Sequence, residues 1–124
     1  MPSILLLEDN TELRNMLKLL LTRAGYEVRE ASNGKGVVEK YQQLQPDLVI
    51  TDLLMPEKDG LEVIQELRDL DRTVKIIAMS GGGRGSVEYY LPLAKKLGAQ
   101  YTLSKPFSYE EFLATIQLAL EAET

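Results

Sequence analysis

Cysteine and histidine are both missing from the 124 residues. Their absence excludes disulfides, thiol catalysis, zinc-thiolate sites and iron–sulfur clusters. Any metal must then be held by oxygen, and any nucleophile must be a carboxylate, a hydroxyl or an amine. Positive charge is scarce as well: 14 Lys and Arg stand against 19 Asp and Glu, a net charge of -5, and no basic run occurs. This argues against direct nucleic-acid binding, because affinity for a phosphate backbone depends on clustered cations. No apolar stretch approaches the ~18 residues of a membrane span. Met1-Pro2-Ser3 leads into a short apolar run that ends in acid at Glu8, without the basic start and long apolar segment of a secretory signal. The expectation is a cytoplasmic protein with no membrane partner.

What is present is a hydrophobic fraction of 44%, enough for one domain that buries about two-thirds of its unfolded surface. Short β-rich runs alternate with helical periodicity, the pattern of parallel βαβ units. The strand candidates are Ile4–Leu7, Tyr26–Ala31, Leu48–Thr51, Val74–Met79 and Tyr101–Leu103. The first and third are apolar throughout and suit central strands, whereas Glu27 and Arg29 suit an edge. Leu13, Met16, Leu17, Leu20, Leu21 and Ala24 share one helical face, with Asn10 able to cap its start and Gly25 just past its end. A second helix is predicted from near Gly36 to Leu44, with Val37, Tyr41 and Leu44 inward and Pro46 stopping it. A third follows Asp59-Gly60 with Leu61, Ile64, Leu67 and Leu70 inward, and a fifth opens with the capping box Ser108-Tyr109-Glu110-Glu111. Pro92 in the fourth removes a backbone donor, which favours a late start there. Gly81-Gly82-Gly83-Arg84-Gly85 reads as a flexible loop. The fold class is α/β: a flavodoxin-like, doubly wound (βα)5 sandwich with a five-stranded parallel sheet in order 2-1-3-4-5.

In such a sheet ligands bind beyond the carboxyl ends of the strands. Those ends carry Glu8-Asp9, Asp52, Ser80 and Ser104-Lys105-Pro106. Three carboxylates, a hydroxyl and an ammonium would meet in one crevice. Carboxylates packed together repel, so some protonate or a cation joins them. With oxygen ligands alone that cation is Mg2+, or Mn2+ as a close substitute. Magnesium leaves room for a phosphate oxygen, and a carboxylate can attack phosphorus.

Glu8-Asp9, Asp52 followed at four residues by Pro56 and at eight by Gly60, Ser80, and Lys105-Pro106-Phe107 together resemble the receiver domain of two-component response regulators, over nearly the entire chain. The resemblance implies that Asp52 is the phosphoacceptor and that Glu8, Asp9, Asp52 and the backbone carbonyl of Leu54 bind Mg2+. It implies that Ser80 hydrogen-bonds the phosphoryl group, that Lys105 ion-pairs with it, and that the Lys105-Pro106 bond is cis. It also implies a histidine kinase or phosphotransfer protein as donor and a downstream output protein as partner. Thr102 stands where the family usually carries an aromatic switch residue, and the stretch from Ser80 to Gly98 is longer than usual. Residues 1–124 read as one receiver domain with no output domain, either stand-alone or the receiver piece of a larger protein.

Each residue also has a plainer explanation. Glu8-Asp9 suits a helix start, Asp52 a solvated loop, Lys105 the surface, and Pro56 and Gly60 a turn. Two other functions share the fold. A flavin or nucleotide binder would use the glycine run for phosphate, although a bare acidic crevice repels an anion. A magnesium-dependent phosphohydrolase would carry a second aspartate two residues after the first, where this chain has Leu54. Fold alone does not choose among them.

Overall fold

A computed structural model describes residues 1–55, 57–81 and 90–122 of the chain. The strands are β1 (Ser3–Leu7), β2 (Glu27–Ala31), β3 (Leu48–Asp52), β4 (Ile76–Gly81) and β5 (Tyr101–Lys105). The helices are α1 (Thr11–Arg23), α2 (Val37–Leu44), α3 (Gly60–Leu70), α4 (Leu91–Leu97) and α5 (Tyr109–Glu121). All strand pairs are parallel, as the alternation of elements predicts, and the order is β2-β1-β3-β4-β5, that of the expected flavodoxin-like fold. No helix among the described residues is long and apolar enough to cross a membrane.

Successive strand side chains point to opposite faces, which divides the core in two. Leu5, Leu7, Val49, Ile76 and Ala78 pack with Val37, Val63, Ile64, Leu67, Leu91 and Ala94 of α2, α3 and α4. Ile4, Leu6, Leu48, Ile50, Ile77, Met79 and Leu103 pack with Leu17 and Leu21 of α1 and Phe112, Ile116 and Ala119 of α5. The central strands are largely apolar because both faces are covered, with the buried polar residues Thr51, Asp52 and Ser80 confined to the carboxyl ends of β3 and β4.

Helix starts follow their caps. Asn10, Asp59 and Ser108 accept through their side chains from the amides of Leu13, Glu62 and Glu111. Pro92 lies in the first turn of α4, Leu91–Leu97, a position where proline is tolerated. Gln45 adopts a left-handed conformation that ends α2 before Pro46.

Several boundaries and faces differ from expectation. β2 begins at Glu27 because the Tyr26 amide closes α1 by donating to the Leu21 carbonyl. β4 begins at Ile76 because the Gln100 amide side chain bonds Val74 O and Ile76 N in place of a strand. Met16 is exposed and accepts from the Tyr109 hydroxyl at 3.3 Å, and Ala24 is exposed too. Leu44 and Leu70, each the last residue of its helix, project from the core, while Val63 completes the buried face of α3. Pro56 and residues 82–85 of the glycine run lie outside the described residues.

Candidate functional site

The polar residues at the strand ends begin inside the ladder. β3 runs through Asp52, which pairs with Met79, and β4 and β5 run on to the pairs Ser80 with Ser104 and Gly81 with Lys105. Sheet register therefore sets the spacing of Asp52, Ser80 and Lys105. Glu8 and Asp9 follow β1, the Glu8 amide still bonded to the Ala31 carbonyl at 3.1 Å.

Two glycines bring this about. A Cβ on Gly81 would collide with Lys105, its carbonyl oxygen only 2.7 Å away. A Cβ on Gly60 would collide with the Asp52 carbonyl and sit 2.7 Å from Leu53 Cα. The start of α3 therefore presses against the backbone of Asp52, and the Gly60 amide donates to Leu53 O at 2.8 Å. Gly60 is thus more than a turn residue, and Gly81 admits Lys105.

The carboxylates converge. One oxygen each from Glu8, Asp9 and Asp52 lies within 4.8 Å of the others. Glu8 and Asp52 are buried, at 1% and 6% exposure, and Asp9 is exposed at the mouth. Lys105 Nζ bonds Glu8 Oε1 at 2.7 Å and lies 3.2 Å from Asp52 Oδ1. The other Glu8 oxygen accepts from the Asn10 amide at 3.2 Å. Ser80 is buried, and its Oγ has no hydrogen-bond partner among the described residues.

Burial, and then the charge of Glu8, push the Asp52 carboxyl up to about 6; Lys105 pulls it down and Asp9 adds a smaller push. Burial pulls the Lys105 ammonium down, but its hydrogen bond to Glu8 and the charges of Asp52 and Glu8 outweigh this and raise it. Among the described residues, three carboxylates thus face one ammonium. The uncompensated charge, the all-oxygen donors and the orphan hydroxyl fit a small hard cation carrying a phosphoryl group.

Of the residues expected at the site, Glu8, Asp9, Asp52 and Lys105 come together in one crevice, with Ser80 at the neighbouring strand end. The Leu54 side chain is exposed. Thr102 is half-buried opposite Ala78, two residues down the ladder from the Ser80–Ser104 pair, and so stands away from the carboxylates. The Lys105-Pro106 bond is cis. Sequence reasoning missed Arg14, whose Nη1 donates to the Glu8 carbonyl at 2.8 Å. Its i, i+4 spacing from Lys18 marks a basic stripe, but the stripe's partner, Glu30, comes from β2.

Comparison with known proteins agrees with this geometry. The family model described as response regulator receiver domain matches residues 4–117. The chain is 42% identical over 105 residues to chemotaxis protein CheY of Thermotoga maritima, covering 84% of this chain and 85% of that one. It is 37% identical over 118 residues to chemotaxis protein CheY of Bacillus subtilis, covering 94% and 96%. Response regulator protein TrrA of Thermotoga maritima, solved in complex with Mg2+-BeF, is similar with a TM-score of 0.84 and 31% identity, over 96% of this chain and 99% of that one.

Proposed function

This chain belongs to the response regulator receiver domain family, and from that premise we propose that it is a cytoplasmic phosphorylation switch in which Asp52 takes a phosphoryl group from a histidine kinase or phosphotransfer protein. The observation that carries this reading is the convergence of Glu8, Asp9 and Asp52 opposite Lys105.

An ionised Asp52 oxygen attacks phosphorus; a P–O bond forms as the donor's P–N bond breaks, and the departing imidazole takes up a proton. Glu8, Asp9, Asp52 and the Leu54 carbonyl would hold Mg2+, which supplies positive charge against the phosphoryl oxygens. The Ser80 hydroxyl, without a hydrogen-bond partner among the described residues, donates to one phosphoryl oxygen, and Lys105 exchanges its bond to Glu8 for a second. Leu54 stands where a phosphohydrolase would carry a second aspartate, so the chain has no acid or base there to orient an attacking water. Slow release suits a switch that catalyses only its own phosphorylation and dephosphorylation. The phosphorylated form then offers a changed surface of α4, β5 and α5 to an output partner, and residues 1–124 act as one receiver domain.

Acetyl phosphate in the presence of Mg2+ tests this by intact mass. The wild type should gain one phosphoryl group, with a Mg2+ requirement that Asp9→Ala shifts upward and Glu39→Ala, at an exposed position of α2, leaves unchanged. Labelling that ignores Mg2+, or an equal shift in both variants, would contradict the reading.

A further inference from the structure

Glu8 and Asp9 share one peptide just beyond the last ladder pair of β1, and a side chain from the following helix holds that peptide. Arg14 donates from Nη1 to the Glu8 carbonyl at 2.8 Å. Its own amide is fixed on the Asn10 carbonyl, also at 2.8 Å, so the side chain reaches back from a rigid first turn. The guanidinium is largely buried, with Nε 3.7 Å from Glu30 Oε2, and Glu30 is itself set opposite Leu6 by the β1–β2 register. Glu8 is thereby held at its carbonyl by Arg14 and at its two carboxylate oxygens by Asn10 and Lys105.

The geometry points to Arg14 as a positioning residue for the acidic pair: by fixing the Glu8 carbonyl it aims Glu8 into the crevice and leaves Asp9 at the mouth, where together they meet a divalent cation. This rests on the metal-assisted phosphorylation proposed above. Consecutive side chains take their directions from the peptide between them, so a Glu8–Asp9 peptide free to rotate would lose the convergence of the two carboxylates. Partners that orient ligands without touching the metal are typically worth ~10–100-fold in metal affinity.

Positioning and simple electrostatics have opposite signs here. The guanidinium is a positive charge near the acids, and removing it by charge alone would tighten cation binding. If Arg14 positions the pair, removal weakens binding despite the charge gained.

Calorimetric titration with Mg2+ alone tests this on the wild type, Arg14→Met, Arg14→Lys and Lys18→Met. Lys18 also reaches Glu30, at 3.8 Å, so Lys18→Met removes the same charge while sparing the contact of Arg14 with the Glu8 carbonyl. Arg14→Met should weaken Mg2+ binding by about 10-fold. Arg14→Lys, which keeps the charge but lacks the planar fork, should fall between it and the wild type. Lys18→Met should bind as tightly as the wild type or tighter. Arg14→Met binding as tightly as the wild type or tighter overturns the inference, and if that variant does not fold, wild-type affinity in Arg14→Lys overturns it. A wild type that binds no Mg2+ overturns the metal site itself, a separate result visible before any variant is compared.

Discussion

At Asp52 the fold places a carboxylate where its charge is costly. Burial and Glu8 raise its pKa from 3.8 to about 6, so the native protein holds this proton more tightly than the unfolded chain. The stabilisation this gives is full below pH 3.8 and is lost as pH rises through about 6. At neutral pH the charged group therefore works against folding, by up to about 3 kcal/mol for a shift of this size. Asp52→Asn, measured by urea unfolding without metal, should be more stable than the wild type at pH 7 by about 1–3 kcal/mol, with the gap closing toward pH 4. A variant less stable at pH 7 would mean that Lys105 compensates Asp52 fully. The same residues show what the sequence makes legible. Glu8, Asp52 and Ser80 stand out because each ends an apolar run, and a buried polar group there needs a reason. Arg14 does not stand out, since its two partners meet it only through the β1–β2 register and the packing of α1.

Among the elements, β1 and β3 and the starts of α1, α3 and α5 are readable because local chemistry decides them: continuous apolar runs and side-chain caps at Asn10, Asp59 and Ser108. The boundaries that shift are those settled by distant partners, as where Gln100 replaces a strand at the start of β4. The switch belongs to this scale as well. Moving a conformational ratio from about 1:99 to 99:1 takes roughly 5.5 kcal/mol of preference for one state. Two charge-assisted hydrogen bonds to the phosphoryl group, from Ser80 and Lys105 at about 1.5–3 kcal/mol each, would supply most of it if they form only in the active state. An aromatic ring at Thr102 is not energetically required. Hydrogen exchange over Leu91–Leu97 with and without beryllofluoride should therefore change in the wild type and in Thr102→Val but not in Ser80→Ala. The reverse pattern would route the coupling through β5.

At the scale of the whole molecule, two core layers on one parallel sheet leave the carboxyl ends of β1, β3, β4 and β5 as the place where polar side chains gather. The glycines at 60 and 81 let backbone and lysine close around that place. In the function proposed above, this crevice makes Asp52 the acceptor of a phosphoryl group. The most direct test of that assignment maps the modified residue by peptide mass spectrometry after treatment with acetyl phosphate and Mg2+, in the wild type and in Asp52→Asn. The wild-type peptide containing Asp52 should carry one hydroxylamine-sensitive phosphoryl group, and the variant none. Equal labelling of the two proteins, or a phosphoryl group on any other residue of the wild type, would contradict it.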